Sequence, residues 1–193
     1  LQELISHYDH FPDDFQKSIV FAISEYCIEN TSRSERNSFL SELREIISRH
    51  RRFPEADWAM DESEILPLVD LYKKLEPIET VDRDKWLFDS HWPSLMSGER
   101  RNDSEVLFET RKTALQEIIT DHGLEGIYKL VETCREPIVV GGILAELLPS
   151  SMQDWEILEK LLSYDSPKSR AVENFISVRA SNSGAEWISS ELK

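Results

Sequence analysis

At 193 residues, with 40% hydrophobic and 31% charged side chains, the chain is long enough to bury a core and too apolar to be a disordered segment. Its formal charge of −15 argues against a nucleic-acid partner, because affinity for that backbone comes largely from lysine and arginine neutralising phosphates. Only 6 Gly and 8 Pro leave too little turn punctuation for a sheet-rich fold, so the composition points to an all-α protein.

The first residues, "LQELISHY", read as a short helix. "HYDHFPDD" follows and holds the most metal-like group of side chains: His7 and His10 at i, i+3, with Asp13 or Asp14 to add a carboxylate. That spacing matches no established zinc motif, and the alternative reading is a solvated junction ahead of Pro12. Proline and acids in the first turn then open a helix to about residue 30, striped by Ile19, Val20, Ile23 and Cys27. Ser32 and Glu35 have capping-box spacing and start a third helix, with Phe39, Leu40, Leu43, Ile46 and Ile47 on one side. It ends in "EIISRHRRF". Arg44, Arg49, His50, Arg51 and Arg52 there read either as an anion contact or as cations complementing a helix C-terminus, and the second is the stronger reading.

Regularity then weakens. A helix is expected from Asp61 to about Leu75, where Pro67 either removes one hydrogen bond and kinks it or forces it to start near residue 66. The run "KWLFDSHWPSL" follows, too aromatic for an ordinary connector. Trp86, His91 and Trp92, with Arg100 and Arg101 beyond the polar break "SGERRND", are the candidate binding residues, since tryptophan and arginine are frequent interface anchors. The competing reading makes these rings the filling of a joint between an irregular region, residues 1–100, and a regular one, residues 101–193. On that reading Trp86 and Trp92 are mostly buried.

From residue 104 the pattern is helical again. Leu107, Ala114, Leu115, Ile118 and Ile119 stripe a helix that stops at Gly123. Further helices are expected from about residues 124, 137, 152, 167 and 184, bringing the total to about ten. "VVGGILAELL" lacks both GxGxxG and GxxxxGK[ST], so Gly141 and Gly142 are assigned to close helix packing rather than to a phosphate loop. Short connections imply antiparallel hairpins, and a pair of helices spans about 30 residues. In this rhythm residues 104–193 resemble an α-helical repeat of the HEAT or TPR class, although the small-residue and aromatic signature of TPR repeats is absent. The resemblance implies a solenoid-like stack with an extended binding surface.

No nucleophile elbow, kinase signature or metal-ligand motif is present. Cys27 and Cys134 lie on apolar stripes, where a thiolate is penalised. No residue is therefore assigned a catalytic role, and no cofactor is expected. No apolar run approaches the ~18 residues of a membrane span. A chain opening on Leu1 is expected to be a segment of a larger protein in a reducing cytoplasm, with no membrane partner. The function expected is a non-enzymatic protein-interaction or scaffold module, taking a protein, a basic peptide or neighbouring domains of its own chain. The alternative is a helical ligand- or metal-binding enzyme domain, using either His7, His10 and Asp13 or the stretch between Trp86 and Trp92.

Overall fold

The computed structural model describes residues 7–12, 15, 18–20, 22, 23, 26, 32–98, 103–148, 159–161 and 169–191. The protein is all-α, with no strand among the described residues. A 3-10 turn, Tyr8–His10, precedes α1 (Arg33–Arg52), α2 (Glu62–Leu75) and α3 (Thr80–Asp84). A second 3-10 segment, Lys85–Phe88, leads to α4 (Asp103–Thr133), α5 (Pro137–Leu147) and α6 (Ser169–Glu191). These are eight helical elements among the described residues, fewer than the ten or so expected. Two expected breaks fall inside a continuous element: Gly123 interrupts α4 at φ 62, and Gly184 interrupts α6. At Gly123 the left-handed backbone needs a residue without a Cβ, so the expected helix end is present there as a local break. The helices expected near residues 12–30 and 152–164 lie largely outside the described residues.

The chain divides into two compact units. The first is Leu1–Pro77 with Ser94–Asp103, and the second is Ile78–Pro93 with Ser104–Lys193.

In the first unit both main helices begin as their sequences dictate. Ser32 Oγ accepts the Glu35 N–H while the Glu35 carboxylate accepts the Ser32 N–H at 2.9 Å. Asp61 and Glu64 repeat the arrangement at the start of α2. Each reciprocal pair satisfies N–H groups that the helix itself leaves open, and α2 thereby starts at Glu62 and runs through Pro67. The apolar stripe of α1 packs on Leu68, Leu71, Tyr72 and Leu75 of α2, and Tyr8, Ile19 and Ile23 join the same core. Arg44 is buried in this core because Tyr72 serves it twice: its Nη1 donates to the phenol oxygen at 2.9 Å and its guanidinium lies 5.6 Å from the ring centroid. Of the basic cluster, Arg49, His50, Arg51 and Arg52 thus sit in the last turn of α1, and Arg44 lies earlier in the helix. Arg51 pairs with Glu62 and donates to the Met96 carbonyl, and buried His50 accepts the Met60 N–H at 3.0 Å.

In the second unit the expected stripes are the buried ones: Leu107, Ala114, Leu115 and Ile118, then Ile127, Leu130 and Val131. α5 packs against α6. A Cβ at Gly141 would run into the Ala171 carbonyl and backbone, so only glycine lets the two helices approach this far. At Gly142 the added carbon would meet Asn174 Nδ2, the tip of a side chain that donates to the Ile138 carbonyl at 2.9 Å.

The two glycines therefore differ in kind. Gly141→Ala is expected to cost about 1–3 kcal/mol, because backbone must move. Gly142→Ala is expected to cost about 1 kcal/mol, one displaced hydrogen bond. Urea denaturation of the two variants checks the order, which fails if Gly142→Ala proves the more damaging.

Candidate functional site

The residues singled out in the aromatic run belong to the second unit, where three connections fix their backbone. α3 is capped by Glu79, whose carboxylate accepts the Asp82 N–H at 3.1 Å. The 3-10 segment that follows turns Leu87 and Phe88 inward, 2% and 0% exposed. Arg111 then closes the turn. This arginine, 7% exposed, reaches from α4 and donates Nε to the Leu87 carbonyl at 2.8 Å. Its Nη2 donates to the carbonyls of Ser90 and His91 at 2.7 and 3.1 Å. Burial pulls the Arg111 guanidinium below its ordinary pKa, and the charge of Glu136 opposes that pull.

The other side of the run is stitched to residues 134–136, which join α4 to α5. The Glu136 N–H donates to the Phe88 carbonyl at 2.9 Å. Asp89 accepts the Arg135 N–H at 2.9 Å with one oxygen and Lys85 Nζ at 2.6 Å with the other. His91 Nε2 lies 3.4 Å from a Glu136 carboxylate oxygen, and its imidazole is largely exposed.

Trp92 follows on this fixed backbone, its N–H donating to Ser90 Oγ at 3.2 Å, and its side chain is 69% exposed. The expectation that both tryptophans are mostly buried fails at this position, while Trp86 is half-buried. The physical reason is the turn itself. Leu87 and Phe88 take the inward positions, and Arg111 draws the carbonyls of residues 87, 90 and 91 toward α4, leaving Trp92 outside.

Arg100, Arg101 and Asp13 lie outside the described residues, as does Cys27. His7 and His10 are exposed, with ring centroids 5.9 Å apart. No group of three or more His, Cys, Asp or Glu side chains able to hold a metal ion occurs among the described residues. Cys134 is half-buried rather than fully enclosed, and burial with the nearby Asp89 charge pushes its thiol up to about 12.

Sequence reading missed Arg111 and Glu136. Arg111 had a signal: it lies four residues from both Leu107 and Leu115, a cation inside an apolar stripe, which marks a buried charge with a specific task. Glu136 had none, being 45 positions from His91 and part of a different helix connection. No protein-family model, no curated protein and no solved structure matches this chain.

Two outcomes follow from this geometry. Arg111→Met is expected to lower stability by about 1–3 kcal/mol, because the carbonyls it serves lose their donor. Arg111→Lys should fall between, a point charge being unable to reproduce the fork. Trp92→Ala should leave stability within about 0.5 kcal/mol of the parent. Guanidinium denaturation of the three variants measures all of this, and a Trp92→Ala loss as large as that of Arg111→Met would contradict it. For Cys134, the folded thiol keeps its proton to about 12 against an ordinary 9.0. Its burial accordingly contributes fully below pH 9, and the contribution is lost as pH rises toward 12. On a Cys27→Ser background, alkylation of Cys134 by iodoacetamide at pH 8 should occur at the rate of unfolding. Rapid labelling of the folded protein would refute the assignment.

Proposed function

We propose that this chain is a non-enzymatic protein-interaction or scaffold module that docks a protein or peptide partner through Trp92 and His91. One observation carries the reading: a tryptophan 69% exposed on a backbone that a buried arginine holds fixed. Scattered exposed apolar residues are normal on protein surfaces. Trp92 differs in its support, because a pre-ordered anchor loses little conformational freedom on binding. Trp92 and Ile78, the two most exposed large apolar side chains among the described residues, both belong to the segment Ile78–Pro93.

The titrating groups fit a binding role better than a catalytic one. The Cys134 thiol is held protonated, which disfavours nucleophilic attack. A bond from Arg51 holds the Glu62 carboxyl below its usual range. At Glu79 burial alone would raise the carboxyl, but Lys129, the Asp82 N–H and His122 outweigh it and hold it down. These acids are committed to caps and ion pairs. The charge of −15 favours a basic partner. In the finer form of this reading, the helices of residues 104–193 stack as antiparallel, solenoid-like hairpins. No helix among the described residues is long and apolar enough to cross a membrane.

The test places a photo-reactive amino acid at position 92 and, as a control, at exposed position 132, in cells that express the protein. A discrete protein adduct from position 92 alone, weakened about tenfold or more when the recovered partner is titrated against Trp92→Ala, is the expected result. Equal labelling from both positions, or unchanged affinity in Trp92→Ala, would sink the reading.

A further inference from the structure

His50 is a buried titratable side chain that the docking reading leaves unused. It is fully buried in the last turn of α1, and its Nδ1 accepts the Met60 N–H at 3.0 Å. A ring nitrogen that accepts a hydrogen bond carries no proton, so this imidazole is neutral, with its proton on Nε2. The bond closes the loop of residues 53–60, which joins α1 to α2. Within the loop the Ala56 N–H donates to the Phe53 carbonyl at 3.0 Å, and the Ala59 N–H to the Ala56 carbonyl at 2.8 Å. Trp58 meets the imidazole edge-on, with ring centroids 5.4 Å apart, and the Arg49 guanidinium lies 5.8 Å from the indole centroid. Phe53 and Trp58 are exposed neighbours, 6.1 Å apart.

Both ends of the loop are secured independently of His50. The Phe53 N–H donates to the Arg49 carbonyl at 3.2 Å and ends α1, while Asp61 starts α2 through its own capping box. The charged groups on the elements around the ring pull in both directions. Arg49, Arg51 and Arg52 share its turn and oppose a further positive charge, whereas the C-terminus of α1 favours one. Asp61 and Glu64 accept each other's main-chain N–H groups, and Glu62 is paired with Arg51. Glu55 and Asp57 are exposed, where water screens their attraction. The segment Ser94–Gly98, which meets the same turn through Met96 and Arg51, has no titratable side chain.

We propose that His50 is a proton-operated latch: the neutral ring holds the loop closed, and protonation at Nδ1 releases residues 54–60 with the exposed Trp58. A proton taken from water at Nδ1 makes an imidazolium, which has two N–H donors and no acceptor. The Met60 N–H then loses its partner, and a charged ring in an apolar site is costly to keep there. The proton reaches Nδ1 only when the Met60 N–H leaves, so protonation and opening are one event. Opening stops at the two caps, which hold α1 and α2 in place. The latch lies in the first unit and shares no residue with the Trp92 face, so it stands or falls independently of that reading.

The test follows the ¹⁵N-labelled protein from about pH 8 to about pH 5, the range in which histidine changes charge. Long-range ¹H–¹⁵N correlations at the upper end should show the His50 ring neutral with its proton on Nε2. On acidification the ring and the amides of residues 54–60 should shift with a shared midpoint, while those of residues 39–47 and 65–75 stay in place. Below that midpoint the protection of the Met60 amide against hydrogen exchange, corrected for the intrinsic rate, should fall about tenfold per pH unit, the signature of one linked proton. His50→Asn puts a non-titrating acceptor near the position of Nδ1 and should abolish the acid step in the loop. A proton on Nδ1 at the upper end, an unchanged loop across the range, or an acid step that persists in His50→Asn overturns the proposal. Loss of protection in α1 and α2 at the same midpoint overturns it as well, because the whole unit rather than the loop would then be responding.

Discussion

The described part of the second unit depends on one buried cation. Arg111 occupies a position on α4 that the apolar stripe would otherwise give to a hydrocarbon. It is satisfied there by main-chain carbonyls rather than by a carboxylate in contact. Carbonyl oxygens at the end of a helical turn have no partner in the helix itself, so a donor from a neighbouring element is needed to bury them. Arginine suits this task because its donors lie in a rigid plane and reach several acceptors at once. The same side chain therefore ends the 3-10 segment, fixes the path of the backbone to Pro93 and decides which residues of the run face water. Phe88 and Asp89 bind the other edge of that backbone to residues 135 and 136, so the run is held from two directions.

Features that depend on neighbours within a turn or two were legible in the sequence. The capping box at Ser32 and Glu35, the start of α2 at Asp61, the breaks at Gly123 and Gly184 and the apolar stripes of α1 and α4 all follow from local rules. Gly141 was legible as a packing residue for a similar reason: a small residue inside an apolar helix has few other uses. What the sequence hid is set by contacts between distant positions. The exposure of Trp92 depends on Arg111, nineteen positions away along the chain and on another helix. The His91–Glu136 contact and the register of α3 against α4 depend on how elements pack, and no spacing encodes them. The aromatic content of the run was a sound signal that the segment is unusual. It could not say which rings face inward, because Leu87 and Phe88 compete for the same interior as Trp86 and Trp92.

The two units solve burial differently. In the first, two helices that each start at a capping box share one apolar cluster, and the buried side chains of Arg44 and His50 each make a hydrogen bond to a specific partner. In the second, close approach does much of the work. α5 and α6 meet at a glycine, and the mean polarity of α5 is low enough that it is apolar on most of its surface. A helix of that kind is stable only when surrounded, which explains why its neighbours leave so little room.

The order in which the chain visits the two units has a consequence for its synthesis. The first unit is made of Leu1–Pro77 and Ser94–Asp103, with the segment Ile78–Pro93 belonging elsewhere. A ribosome releases the chain from its N-terminus, and domains generally fold as they emerge. Here α1 and α2 leave the tunnel before Met96, whose carbonyl receives Arg51, so the first unit is completed late. Meanwhile the segment carrying Leu87, Ser90 and His91 emerges ahead of Arg111, which lies some twenty residues further along the chain. During vectorial synthesis this aromatic segment thus leaves the tunnel before the side chain that arranges it, and its turn closes only once α4 follows.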